Sequence, residues 1–157
     1  MPEPFNFGKE LVKVPGLDGT GKMGKSEGNG IFLVDEPSVI RKKVMRAVTD
    51  SGPTTPNQPM EEPIRNLFAL LDLMSTPETT EHFRNQYNNC SIRYGDLKKQ
   101  LAEDIILFTT PIRERVLDIT KNDTYLSKAV KTGAEKARAS ASKTLKEVRE
   151  IIGFKAF

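Results

Sequence analysis

The apolar positions divide the chain at Asp35. Before it there is no helical periodicity. Leu11, Val12 and Val14 can form a short strand stopped by Pro15-Gly16, and Gly and Pro punctuate the chain as far as Gly30. Ile31–Val34 is a brief apolar run that reads as an extended segment. From Asp35 onward apolar residues recur with a period of about 3.6, the mark of amphipathic helices. Asp35 is the expected N-cap of the first, with Pro37 in its first turn, where the missing N–H does no harm. Ile40, Val44, Ala47 and Val48 form its apolar stripe, while Arg41, Lys42, Lys43 and Arg46 load it with positive charge.

The stretch SGPTTPNQP, Ser51 to Pro59, is a loop, because its three prolines cannot support a helix interior. A second helix is expected from Glu61 to Met74, with Ile64, Leu67, Phe68 and Leu71 in register. Ser75-Thr76-Pro77 reads as a cap and early-turn proline opening a helix to about Tyr87. Asp96 is the expected cap of the next, with Leu97, Leu101, Ile105 and Phe108 on one face; Pro111 is expected to break or kink it. A long final helix is expected from Asp123 to Ile152, stopped by Gly153. Within it Gly133, Ala134, Ala137 and Ala141 make a small-residue stripe that suits close helix packing. The expectation is a mainly α chain: an antiparallel helical bundle preceded by a short irregular or strand-containing head.

Composition adds limits. At 157 residues, 37% hydrophobic and 29% charged, the chain has room for one ordinary domain, or one domain and a remnant of another. Its single cysteine, Cys90, excludes an internal disulfide framework and any multi-cysteine zinc site, so a reducing cytoplasm is the expected setting. No apolar run approaches the roughly 20 residues that span a bilayer, and MPEPFNFGKE lacks the pattern of a secretory signal. His82 has no metal or triad partner in sequence and reads as a surface or capping histidine; Cys90 reads as inert. The net charge of +3 is small, but residues 121–157 carry nine Lys/Arg against four Asp/Glu. That local excess can be a solvated helix face or a surface for phosphates.

The chemistry concentrates in Gly19–Ser26, GTGKMGKS, which fits the phosphate-loop pattern G-x-x-x-x-G-K-[ST] letter for letter. A phosphate loop needs a strand delivering the turn and a helix beginning at once after it, so that helix N–H groups hold the phosphates. Here Glu27-Gly28-Asn29-Gly30 follows, a poor helix start, and no room remains for a crossover before Asp35. A nucleotidase would require a helix from Lys25 or Ser26.

Lys22-Met23-Gly24-Lys25-Ser26 also resembles Lys-Met-Ser-Lys-Ser, the mobile loop of class I aminoacyl-tRNA synthetases. The neighbouring segments PGLDG (15–19), EGN (27–29) and KKVMRAVTDSG (42–52) are similar to bacterial tryptophanyl-tRNA synthetases. So are YGDLKKQLAEDI (94–105), PIRERV (111–116) and GAEKARASASKTLKEVREIIG (133–153). Tyrosyl-tRNA synthetases share the loop but continue into a different tail.

The resemblance implies that Lys22 and Lys25 bind ATP and stabilise the departing pyrophosphate, with Lys25 foremost. It implies that Met23 packs the loop and Ser26 donates a hydrogen bond to phosphate. Gly24 stands where the family has serine, which removes a hydroxyl and predicts a more mobile loop, as does the longer approach through Thr20-Gly21. The chain lacks a His-Ile-Gly-His-type signature, so it is expected to be the C-terminal part of a synthetase. Residues 1–34 would be the remnant of a Rossmann-like catalytic domain, and residues 35–157 a helical domain of anticodon-binding type. Lys131, Lys136 and Arg138 are candidate RNA contacts. The implied partners are tRNA, ATP with Mg2+ and tryptophan, in a homodimeric parent, with no membrane and no protein-bound metal in this chain. The isolated chain is expected to be inactive. A free-standing RNA-binding helical module and a phosphate-loop nucleotidase are the alternatives.

Overall fold

The structure is a computed structural model that describes residues 13–19 and 21–154. Leu11 and Val12, the start of the expected strand, lie outside the described residues. Among the described residues the regular elements are five helices: α1 (Pro37–Met45), α2 (Glu62–Met74), α3 (Pro77–Asn88), α4 (Tyr94–Thr120) and α5 (Asp123–Ile151). The only sheet-like pairing described is an isolated antiparallel bridge between Pro15 and Lys22. The chain forms two compact units, Met1–Arg113 and Glu114–Phe157.

The first unit holds the core. Ile40 and Val44 of α1, Ile64, Leu67, Phe68 and Leu71 of α2, and Leu97, Leu101 and Ile105 of α4 are buried together, as their helical spacing requires. Phe83 and Tyr87 of α3 close this core, and Tyr87 meets Phe68 edge to face at 6.1 Å. Two ion pairs add lateral ties: Arg41 of α1 grips Glu103 of α4 through two bonds of 2.6 and 2.9 Å, and Arg113 pairs with Glu36. Both members of the first pair are half exposed, so its contribution is small.

Helix ends follow side-chain chemistry, with several departures from the sequence pattern. Thr76 caps α3, accepting the Thr79 N–H at 3.3 Å, with Pro77 following. The N-cap of α1 is Glu36 rather than Asp35. Asp35 is drawn elsewhere: it accepts the Phe32 N–H at 2.9 Å and pairs with Lys43 at 2.6 Å. The same contacts, with Asp35 N–H donating to the Phe32 carbonyl at 3.0 Å, make Phe32–Asp35 a turn and not the extended run expected of Ile31–Val34. Val48 leaves the apolar stripe because α1 ends at Met45; it is 45% exposed. Asp96 lies in the first turn of α4 and is not its cap, since that helix opens at Tyr94.

Pro111 does not break α4, which is helical from Tyr94 to Thr120. Proline at 111 deprives the Leu107 carbonyl of its usual donor. Leu107 is 77% exposed, so water can replace that bond. Upstream, the hydroxyls of Thr109 and Thr110 donate to the carbonyls of Ile105 and Ile106 at 2.8 and 2.6 Å.

In the second unit Asn122 caps α5 by accepting the Tyr125 N–H at 2.9 Å. Gly153, at φ 77°, ends it: Phe154 N–H reaches the Arg149 carbonyl at 2.9 Å and Gly153 N–H the Glu150 carbonyl at 3.3 Å. α5 buries none of its residues. The small-residue stripe therefore packs against nothing described, and a Cβ added at Gly133 would meet open space. His82 is exposed, 3.0 Å from Gln86, and Cys90 is exposed in a left-handed conformation after α3.

A polar cluster fixes the chain after α1. Lys98, buried on α4, donates to the Ala47 carbonyl at 2.7 Å and to Thr49 Oγ1 at 3.3 Å. Tyr94 donates to Asp50 Oδ1 at 2.7 Å, which also accepts the Gly52 N–H at 2.7 Å. Burial, and secondly this bond to Asp50, pushes the Tyr94 hydroxyl well above its usual range, whereas burial pushes Lys98 down. The two shifts act oppositely on stability. A raised tyrosine contributes stability that is fully present below its unfolded value of about 10 and is lost as pH rises beyond it. A lowered lysine makes stability rise with pH up to its unfolded value of about 10.4. Lys98 is common to the native chain and a Tyr94→Phe variant, so its effect cancels in their difference. The native chain's advantage in urea unfolding is therefore expected to shrink above about pH 10; an advantage constant with pH would show that Tyr94 does not titrate differently on folding.

Candidate functional site

The KMGKS segment is a loop held at its base, with few bonds at its tip among the described residues. Before it, Met23 N–H donates to the Val14 carbonyl at 2.8 Å and Gly16 N–H to the Gly21 carbonyl at 3.3 Å, which closes the ladder around the Pro15–Lys22 bridge. After it, residues 25–27 turn, with Glu27 N–H reaching the Gly24 carbonyl at 3.3 Å. No helix begins at Lys25 or Ser26; the next is α1 at Pro37, so the helix that a phosphate loop requires does not follow.

The sequence-predicted loop residues divide by environment. Lys22, Lys25 and Ser26 are exposed, and neither lysine ammonium has an ion-pair or hydrogen-bond partner among the described residues. Met23 is half-buried against the core formed by the helices. Gly24 has an ordinary φ, so glycine is not demanded there by the backbone. What occupies the place of a side chain is Glu27: a Cβ on Gly24 would stand 2.5 Å from Glu27 Cγ. The family's serine at this position would require the Glu27 side chain to move aside.

These residues line a recess of about 530 Å³ with Asp18, Gly21, Glu27 and Asn29. A second recess of about 550 Å³, beneath the loop, is apolar and lined by Met23, Ile31, Leu70, Met74, Ile105 and Phe108 among others. The first has two ammonium groups, a hydroxyl and loop backbone, which can meet phosphate oxygens, beside the carboxylates of Asp18 and Glu27. Among the described residues no group of three or more His, Cys, Asp or Glu is placed to hold a metal ion, and no helix is long and apolar enough to cross a membrane.

Sequence reading passed over Asn29 and Asp18 as individual residues. Asn29 is buried, accepts the Gly24 N–H at 2.9 Å and donates to Asp18 at 3.0 Å and to the Lys22 carbonyl at 3.3 Å. The available signal was an amide residue between two glycines, immediately after the lysine loop.

Lys131, Lys136 and Arg138 are exposed on α5. At about 100° per residue, Lys131 and Arg138 fall in one row, whereas Lys136 lies about 140–160° around the helix from both. Arg149 continues the row of Lys131 and Arg138, and Lys143 that of Lys136. The three candidates thus belong to two basic rows, not one patch.

Comparison with known proteins identifies the family and the fold. Residues 3–110 match the family model of tRNA synthetases class I (W and Y). The chain is 60% identical over 154 residues to a tryptophan–tRNA ligase of Porphyromonas gingivalis, covering 98% of this chain and 47% of that protein. It is 40% identical over 136 residues to tryptophan–tRNA ligase 1 of Streptomyces coelicolor, covering 84% and 39%. Its fold matches the crystal structure of tryptophanyl-tRNA synthetase from Campylobacter jejuni complexed with ADP and tryptophan, with a TM-score of 0.72 and 25% identity. That match covers 93% of this chain and 45% of the other. The chain spans less than half the length of these relatives. With 108 of its residues matched in chain order by the family model, this chain belongs to the class I tRNA synthetases of the tryptophan and tyrosine (W and Y) group.

Proposed function

We propose that this chain is the C-terminal part of a tryptophan–tRNA ligase, which activates tryptophan with ATP and esterifies the adenylate to its tRNA. The observation that carries this is the loop: two ammonium groups without a partner among the described residues, over a polar recess, in a chain of this family. Residues 1–34 supply the pyrophosphate end of the catalytic domain, and residues 35–157 the helical region facing tRNA.

In activation the tryptophan carboxylate attacks the α-phosphorus of ATP and the bond to the bridging oxygen breaks. Pyrophosphate leaves with the electron pair, so negative charge grows on its oxygens. Lys25 and Lys22 stabilise that charge, and Ser26 donates a hydrogen bond to a phosphate oxygen. Mg2+ enters with ATP as part of the substrate. Turning of the loop tip brings Lys25 onto the phosphates and lets product leave. On α5, the row containing Lys131, Arg138 and Arg149 is the better placed to follow an RNA backbone, with Lys136 on a separate row. The working enzyme is a homodimer in the cytoplasm.

The tryptophan pocket and the rest of the nucleotide site belong to the part of the relatives that this chain does not span. The purified chain is therefore expected to give no tryptophan-dependent exchange of pyrophosphate into ATP. Exchange above a Lys25→Ala control would show that the chain holds a complete activation site and overturn this division of labour.

A further inference from the structure

We infer that Asn29 is a positioning residue that clamps the base of the lysine loop, fixing Lys22 and leaving Lys25 on the moving tip. The clamp stands on geometry; its consequence for pyrophosphate rests on the function proposed above.

Asn29 is only 7% exposed and directs its carboxamide almost entirely at the loop. Its Oδ1 accepts the Gly24 N–H at 2.9 Å, and its Nδ2 donates to the Lys22 carbonyl at 3.3 Å and to Asp18 Oδ2 at 3.0 Å. A backbone N–H can only donate and a carbonyl can only accept, so these partners fix which end of the amide is oxygen. The two backbone groups held flank Met23, whose side chain is packed on the core. Residues 22–24 are thereby tied at both ends and in the middle.

The clamp is in turn registered to the helices. The Asn29 carbonyl accepts the Leu17 N–H at 2.9 Å, and the Leu17 carbonyl accepts the Val48 N–H at 3.0 Å. Val48 lies between Ala47 and Thr49, the two residues that Lys98 of α4 holds. Gly16 makes room for this: a Cβ there would stand 2.4 Å from Asn29 Nδ2 and 2.6 Å from Asp18 Oδ1.

Among the described residues nothing comparable holds the tip. Residues 25–28 carry one weak turn bond, from Glu27 N–H to the Gly24 carbonyl at 3.3 Å, and Gly28 has φ 70°. Gly24 and Gly28 are then the ends of the moving segment. The two lysines have different duties: Lys22 extends its ammonium from a fixed backbone, and Lys25 arrives with the tip.

The test is amide exchange and pyrophosphate titration on the 157-residue chain labelled with 15N. Asn29→Asp keeps the shape and one acceptor but sets a carboxylate against both Asp18 and the Lys22 carbonyl. Gly24 N–H exchange is expected to accelerate about tenfold, with the core amides of Leu67 and Leu101 unchanged within about twofold. The response of the Lys22–Ser26 amides to inorganic pyrophosphate is expected to weaken about threefold or more. Adding Asp18→Asn restores a donor facing an acceptor at that contact, while the Lys22 carbonyl stays without its donor, and is expected to recover Gly24 protection and pyrophosphate affinity in part. A residue that merely fills space would give neither the loss nor the rescue. If Asn29→Asp also exposes the core amides, Asn29→Ser, which removes the reach without adding charge, takes its place with the same readouts.

Unchanged Gly24 protection, or loss without rescue by the exchanged pair, overturns the clamp. Gly24 released with pyrophosphate affinity unaltered overturns the positioning role. A native chain whose loop amides ignore pyrophosphate overturns the pyrophosphate reading itself, while Gly24 exchange still decides the clamp.

Discussion

Replacing Lys25 by alanine in the full ligase is expected to lower the rate of tryptophan activation by about 10²–10³-fold. Tryptophan affinity should stay within about twofold, because the lost interaction belongs to the transition state. As the α-phosphorus accepts the carboxylate, charge moves onto the leaving pyrophosphate, so an ammonium carried there by the loop tip acts mainly on the transition state. The Lys25 ammonium is engaged by no carboxylate among the described residues. Lys25→Arg keeps the charge in a bulkier, planar group and is expected to fall between the two. Pre-steady-state adenylate formation with a parallel tryptophan titration is the measurement. An unchanged rate would remove Lys25 from the mechanism; an equal loss in rate and in tryptophan affinity would make its role general binding.

Leu101→Ala is expected to destabilise the chain by about 2–5 kcal/mol. Leu101 is fully buried on α4 between Leu97 and Ile105, in the single core that joins α1, α2, α3 and α4. Truncation removes the transfer energy of the lost atoms and leaves a cavity that helices locked by neighbours on every side cannot fill. Domain stabilities of about 5–15 kcal/mol leave little margin for that loss. Urea unfolding should show a lower midpoint at unchanged slope. Lys136→Ala, exposed on α5, should alter stability by no more than about 0.5 kcal/mol. A Leu101→Ala cost below about 1 kcal/mol would contradict the placement of that residue at the centre of the core.

The helices of the first unit were legible because their apolar stripes are the core. Ile64, Leu67, Phe68 and Leu71 are buried as their spacing requires, and Thr76-Pro77 opens α3 as its chemistry predicts. The departures occur where a side chain had a competing partner that local sequence does not display. Asp35 is a good capping residue in isolation, but Phe32 N–H and Lys43 claim it. Pro111 is tolerated because the carbonyl it orphans belongs to an exposed residue. The periodicity of α5 identifies an apolar face without saying what covers it, and none of its residues is buried.

At the site, the lysine loop was legible as a motif, including the two glycines that imitate a phosphate loop. The downstream EGNG decided between those readings, and the absence of a helix at Lys25 agrees. The clamp was not legible. Asn29 acts through partners five, seven and eleven residues away, and only the fold brings Asp18 and Gly24 onto one amide. The serine-to-glycine change at 24 also reads differently in the structure. Glu27 fills the vacated space, and the Gly24 N–H is held by Asn29.

The central assignment is that this chain supplies the pyrophosphate-stabilising loop of a tryptophan–tRNA ligase. Its most direct test replaces the matching segment of the Porphyromonas gingivalis ligase, 60% identical over 154 residues, with this chain. Tryptophan-dependent ATP–pyrophosphate exchange is then measured for the chimera and for its Lys25→Ala variant. Exchange close to that of the parent ligase, falling by about 10²–10³-fold on Lys25→Ala, is the expected result. A folded chimera that binds tryptophan but exchanges no pyrophosphate, or one indifferent to Lys25, would contradict the assignment.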